Sequence, residues 1–135
     1  MHTVYLGLGS NIGNRKRMIR DAVADIGLRV GEVKRLSSFY ETKPWGFESP
    51  NDFINAAVCV ETELAPRQLL ETTQQIEKDL GRVEKTQDGA YHDRVIDIDI
   101  LLYDDLRVDE PDLKIPHPLM AERDFVMKPL GEIRR

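Results

Sequence analysis

Alternation of apolar and polar positions is clearest in Val95–Tyr103, V-I-D-I-D-I-L-L-Y, where Ile96, Ile98, Ile100 and Leu102 fall on one side and Asp97 and Asp99 on the other. The pattern predicts a strand. Thr3–Leu8 alternates in the same way and runs into G-L-G-S-N-I-G-N, whose Gly9 and Gly13 suit a tight turn. Between Asn14 and Leu28 the apolar Met18, Ile19, Ala22, Val23 and Ile26 recur at helical spacing, with Asn14 as the N-cap. Glu32–Glu41 predicts a second strand, after which K-P-W-G-F-E-S-P-N interrupts regular structure with its prolines and glycine. Phe53–Glu63 predicts a third, with Phe53, Asn55, Ala57 and Cys59 on one face and Ile54, Ala56, Val58 and Val60 on the other. Pro66 opens a second helix that turns Leu69, Leu70, Thr73, Ile76 and Leu80 inward, and Gly81 ends it. Residues 82–94 form a polar loop before the aspartate strand. Beyond that strand come D-D-L-R-V-D-E, read as a turn and a short edge strand, then I-P-H-P and a helical patch over Leu119–Ile133.

The order is βαββαβ with a tail. It predicts a ferredoxin-like α+β sandwich, an antiparallel sheet with helices on one face and the other face left for substrates. Asp97, Asp99, Phe53 and Asn55 all belong on that second face. With 135 residues the chain is expected to form a single domain, 1–135. A net charge of −5 argues against polyanions as the main partner, so no nucleic acid is expected. No apolar run reaches the roughly 20 residues of a membrane helix, and the first residues lack the regions of a signal peptide. A cytoplasmic protein without a membrane partner is the expectation. The lone Cys59 reads as a buried small hydrophobe.

Side chains two apart on a strand point the same way, so Asp97 and Asp99 repel unless water, a cation or a basic group lies between them. Hard oxygen donors without imidazole or thiolate neighbours favour Mg²⁺ together with substrate phosphates, although a wet strand face explains the pair equally well. G-L-G-S-N-I-G-N matches neither nucleotide-binding glycine fingerprint, and a strand-to-helix turn explains it. Among the cations Arg82, Lys85 and Arg94, it is Arg94 that the root of the aspartate strand can hold near whatever the carboxylates hold. His117 sits between Pro116 and Pro118, which aim its imidazole reproducibly and suit it to a phosphate oxygen, although an ordinary loop histidine without a ligand role explains it as readily. Trp45, Phe47, Phe53, Tyr91 and Phe125 supply flat surfaces that can sandwich a heterocycle or simply pack. Gln74 and Glu77, one helical turn apart, read as a polar helix flank.

Seven strings in order, G-L-G-S-N, S-S-F-Y-E-T-K-P-W-G, F-I-N-A-A-V, I-E-K-D-L-G-R, D-R-V-I-D-I-D-I-L-L-Y, I-P-H-P and R-D-F-V-M-K-P-L, span nearly the whole chain. In them the chain resembles the 6-hydroxymethyl-7,8-dihydropterin pyrophosphokinases, folate-pathway enzymes with a ferredoxin-like fold. The resemblance implies that Asp97 and Asp99 bind two Mg²⁺ ions and that ATP is the co-substrate. The pterin alcohol would attack its β-phosphorus in line and release AMP, a matter of positioning and electrostatics. It assigns catalysis to Arg82, Arg94, Asp97 and Asp99. It places the pterin among Thr42, Lys43, Pro44, Trp45, Phe53, Asn55, Tyr91 and Phe125, and ATP among Gln74, Glu77, Arg94, Ile100, Lys114, His117 and Arg123.

The chain departs from the family pattern at Glu84, where many members carry a second arginine of R-x-R, and at Tyr91 and Asp93, which replace the tryptophan and proline of R-W-G-P-R. The polar loop 82–94 is expected to close as a lid over both substrates. Many members also continue past the position of Arg135, so this is either a minimal member or one without the C-terminal tail. A monomer is expected. A ligand-sensing module on the same fold and a Mg²⁺-dependent phosphohydrolase are the competing readings; neither needs a pterin alcohol as acceptor.

Overall fold

The computed structural model describes residues 1–44, 49–81 and 95–134. Its elements are β1 (His2–Ser10), α1 (Arg15–Arg29), β2 (Gly31–Leu36), β3 (Tyr40–Thr42), β4 (Phe53–Thr62), α2 (Pro66–Asp79), β5 (Asp97–Tyr103), β6 (Val108–Glu110), β7 (Leu113–Ile115) and α3 (Asp124–Ile133), with a single 3₁₀ turn, Met120–Glu122, before the last helix. The main sheet runs β2-β4-β1-β5, with β3 also paired to β4, and every pairing is antiparallel. This is the ferredoxin-like strand order, with β1 and β4 in the middle.

Local chemistry sets the ends of the helices. The Asn14 side chain accepts from the Arg17 N–H at 3.2 Å, and Gly13 before it takes a positive φ of 72° that an L side chain would resist. α2 starts on Pro66, and the Gln68 side chain accepts from the Ala65 N–H at 3.0 Å. Helices α1 and α2 pack on one face of the sheet, where Val4, Leu6, Leu8, Val58, Val60, Ile96 and Ile98 meet Ile19, Ala22, Ile26, Leu69 and Ile76. These side chains are almost wholly withdrawn from water. Their burial is the main stabilising term.

Four expectations change in detail. Gly9 lies inside β1, which continues to Ser10, so only Gly13 belongs to the turn. The strand expected over 32–41 is two: Ser37 breaks the ladder, with its N–H donating to the Ala57 carbonyl and its Oγ accepting from the Ala57 N–H, both at 2.9 Å. The β1–β5 register shifts between Tyr5 and Leu6, so Leu101 is an extra residue and Leu102 joins the aspartate face instead of the isoleucine face. The segment after β5 makes a separate hairpin of β6 and β7, tied to α2 by Arg67, whose guanidinium bridges Glu110 and Asp112.

The second face of the sheet is shared between helix and pocket. α3 covers one end of it, where Val126, Leu130 and Ile133 pack on Tyr5, Ala57, Cys59, Leu101 and Leu102. Cys59 is a buried free thiol. Among the described residues no helix is long and apolar enough to cross a membrane.

Candidate functional site

On β1 the pleat sends Leu6 and Leu8 toward the helices and leaves Gly7 and Gly9 on the opposite face. The strands on either side do carry side chains there. In register, Gly9 lies between Asn55 of β4 and Asp97 of β5, and Gly7 between Ala57 and Asp99. The middle of the face is therefore bare backbone, a trough walled by an amide on one side and two carboxylates on the other. A methyl group on Gly9 would stand 3.2 Å from Asn55 Oδ1 and 3.5 Å from the Phe53 ring, so the trough owes its depth to the missing side chain.

Asn55 is 4% exposed, and its Nδ2 donates to Thr42 Oγ1 at 2.7 Å. One contact orients the amide while Oδ1 and the second N–H keep their capacity for a ligand edge that mixes donors and acceptors. Phe53 at the start of β4 and Phe125 in the first turn of α3 line the same pocket. The buried Arg123, 7% exposed, places its guanidinium carbon 5.6 Å above the Phe125 ring. Glu132, near the other end of α3, accepts from the Tyr40 hydroxyl at 2.5 Å and from the Ser38 N–H and hydroxyl at 2.8 Å, anchoring that helix to the strand that carries Thr42. The Tyr40 hydroxyl and then Ser38 hold the Glu132 carboxyl below its ordinary value, and Glu132 in turn raises the Tyr40 phenol.

His117 stands beside this pocket. Its N–H donates to the Leu101 carbonyl at 3.1 Å, and its Nδ1 accepts from the Leu119 N–H at 3.4 Å, which leaves the proton on Nε2. Burial and then the charge of Arg123 push its pKa down, against an opposing pull from Asp97. The ring is a neutral donor near neutral pH.

The pocket thus gathers Thr42, Lys43, Phe53, Asn55, Asp97, Asp99, Arg123 and Phe125. Other candidates lie elsewhere. Ile100 points into the helix-side core, Gln74 is half-buried on α2, and Pro44 follows Lys43 at the pocket rim. Lys114 is exposed on β7 with its Nζ 2.6 Å from Asp109, whose carboxyl it holds low. Glu77 is 2% exposed and its Oε2 accepts from the Ile98 N–H at 2.7 Å, so it faces the backbone of β5 and not a polar flank. Trp45, Arg82, Tyr91 and Arg94, with Phe47 and the whole 82–94 loop, fall outside the described residues. Gly7, Gly9 and Leu101 also line the pocket without having been expected there, and Ala57 joins them from the face on which the pattern put it with Phe53 and Asn55. The alternation of leucine and glycine in L-G-L-G was the signal for the first two.

Among the described residues no three His, Cys, Asp or Glu side chains gather into a ready metal-ligand set. Asp97 and Asp99 offer two half-buried carboxylates and no softer donor. That donor chemistry fits a hard divalent cation completed by water and by phosphate oxygens.

The chain is similar to known proteins over nearly its whole length. The model of the family described as 7,8-dihydro-6-hydroxymethylpterin-pyrophosphokinase (HPPK) matches residues 5–135. A Porphyromonas gingivalis protein named 2-amino-4-hydroxy-6-hydroxymethyldihydropteridine pyrophosphokinase is 51% identical over 134 residues, covering 98% of this chain and 91% of that one. Its namesake from Bacillus subtilis is 45% identical over 130 residues, 96% and 76% of the two chains. Among solved structures, an HPPK-DHPS crystallised in complex with substrates superposes with a TM-score of 0.78 at 14% identity, over 98% of this chain and 40% of that one. A Plasmodium falciparum HPPK-DHPS gives 0.77 at 18% identity, over 97% and 40%. The chain spans about two fifths of those solved chains, and they speak to the fold alone.

Proposed function

The chain belongs to the 7,8-dihydro-6-hydroxymethylpterin-pyrophosphokinase family, and from that premise we propose that the trough over Gly7 and Gly9 is where it carries out the family's reaction. It is an enzyme of folate biosynthesis that transfers diphosphate from ATP to the hydroxymethyl group of 6-hydroxymethyl-7,8-dihydropterin. The observation that carries the site is the register of three strands. A donor–acceptor amide, Asn55, and a carboxylate pair, Asp97 and Asp99, face each other across a strand with no side chains between them.

In this reading the pterin ring lies on the trough between Phe53 and Phe125, and Asn55 reads its polar edge, held in orientation by Thr42. The ring's hydroxymethyl group then points to the aspartate side. The hydroxyl oxygen bonds to the β-phosphorus of ATP as the bond from that phosphorus to the α,β-bridging oxygen breaks. AMP leaves with the electron pair, and the hydroxyl proton passes to solvent. Asp97 and Asp99 would hold two Mg²⁺ ions, which when bound neutralise phosphate charge and acidify a coordinated hydroxyl. Arg123 and the Nε2–H of His117 would meet phosphate oxygens, and the catalytic share of Arg82 and Arg94 rests on the family resemblance. No separate general base is assigned.

Incubation with ATP, Mg²⁺ and the pterin alcohol tests this, with the nucleotide product identified by ³¹P NMR. AMP and a pterin diphosphate are expected. ADP as the product would overturn diphosphate transfer.

A further inference from the structure

Glu77 is the one carboxylate among the described residues that is buried, and it sits on the far side of the sheet from the trough. It projects from the last turns of α2 toward β5, the strand at the end of the main sheet. Among the described residues β5 pairs with β1 on one side only, so the outward N–H groups of its other edge need acceptors from elsewhere. Glu77 Oε2 takes the N–H of Ile98 at 2.7 Å in a buried bond. That N–H belongs to the peptide joining Asp97 to Ile98, and Asp99 follows directly. The tilt of this peptide sets the direction of the Asp97 side chain and, through the next residue, that of Asp99.

A neutral acceptor would satisfy the same N–H. A carboxylate makes the bond charge-assisted, shorter and stiffer, and α2 holds it in place through Leu69 and Ile76 in the core. The sequence pattern could not single this out, because a glutamate at helical spacing from Gln74 reads as surface.

We propose that Glu77 is a positioning residue for the metal-holding pair: it fixes the peptide between Asp97 and Asp99 from behind the sheet, and its carboxylate does not contact the nucleotide. The inference rests on the reading of Asp97 and Asp99 as the Mg²⁺ platform. Loss of a group that orients metal ligands usually costs about 10- to 100-fold in metal affinity.

The test compares Glu77→Leu, Glu77→Gln and Glu77→Asp in the full chain. Mn²⁺ binding is read by EPR in the presence of a non-hydrolysable ATP analogue, and exchange of the Ile98 amide by NMR. Glu77→Leu should weaken Mn²⁺ binding by at least about 10-fold, speed Ile98 exchange and raise the Mg²⁺ needed for half-maximal rate, with KM for the pterin unchanged. Glu77→Gln keeps an oxygen in the same place and should recover most of the loss. Glu77→Asp keeps the charge but not the reach and should behave like leucine, which covers the case in which the leucine variant does not fold. Wild-type Mn²⁺ binding in folded Glu77→Leu or Glu77→Asp would overturn the positioning role while leaving the platform intact. Equal losses of metal-free analogue affinity in all three variants, with Ile98 exchange unmoved, would overturn it in favour of direct nucleotide contact. A wild-type protein that forms AMP yet holds no Mn²⁺ would remove the platform itself and the inference with it.

Discussion

The two faces of β1 are built from the same nine residues and do opposite things. Toward the helices the strand presents Val4, Leu6 and Leu8, which pack against α1 and α2 out of reach of water. Toward the other side it presents Tyr5, which α3 covers, and Gly7 and Gly9, which line the pocket. One face spends its side chains on packing; the other withholds them and leaves a floor on which neighbouring strands can set chemistry. The lesson is that a site in a sheet can be recognised by where side chains are missing as well as by where carboxylates stand.

The comparison breaks most visibly if the aspartate wall is not catalytic. Asp97→Ala or Asp99→Ala should lower kcat/KM on the order of 10³-fold or more while leaving the melting temperature within a few degrees, because both side chains are half-exposed on the trough side. Steady-state kinetics beside thermal unfolding would decide it, and a destabilised but active variant would reverse the assignment. On the helix face the signs exchange. Leu6→Ala, at a site with no exposure, should cost about 2–5 kcal/mol of stability by denaturant titration, with the KM of the folded fraction unchanged.

Filling the floor sharpens the contrast. Gly9→Val, whose Cβ would press on Asn55 and Phe53, should raise pterin KM by about 10- to 100-fold, since one or two aligned contacts of about 1–3 kcal/mol are lost. Its KM for ATP should move little. Equal effects on both substrates would place the pterin elsewhere.

The smallest effect concerns the α3 anchor. Glu132 is held below its ordinary value of 4.5, so its share of the anchor is complete above that pH and fades as pH falls through the lowered folded value. Tyr40 is held above 10.0, so its share is complete below that pH and is lost as pH rises through the raised value. Thermal scans of wild type and Glu132→Gln should therefore converge as the pH is lowered from neutral through the depressed folded value. A constant gap would mean that the anchor does not depend on charge.

Much of this was legible along the chain. Period alone fixed the strand and helix order, the helix-side core and the common face of Phe53, Asn55, Asp97 and Asp99. It went astray where two signals compete. Gly9 carries the strongest turn signal there is, yet lies in a strand because both neighbours pair with it. Leu101 and Leu102 are both apolar, so nothing in their pattern marks the bulge that turns Leu102 to the aspartate face. Glu77 reads as surface because buried carboxylates are rare. The tail reads as a helix, but only its packing on Tyr5 and Cys59 shows that it walls the pocket. Individual ligand roles came from resemblance, since no periodicity distinguishes a pterin edge from a ribose.

The most direct test is a crystal structure grown with Mn²⁺, a non-hydrolysable ATP analogue and the pterin alcohol, with metal located by anomalous scattering. Metal peaks are expected about 2.0–2.2 Å from carboxylate oxygens of Asp97 and Asp99, with the pterin ring on Gly9 between Phe53 and Phe125. Metal bound away from that pair, or a ring lodged anywhere but on the glycine floor, would contradict the assignment.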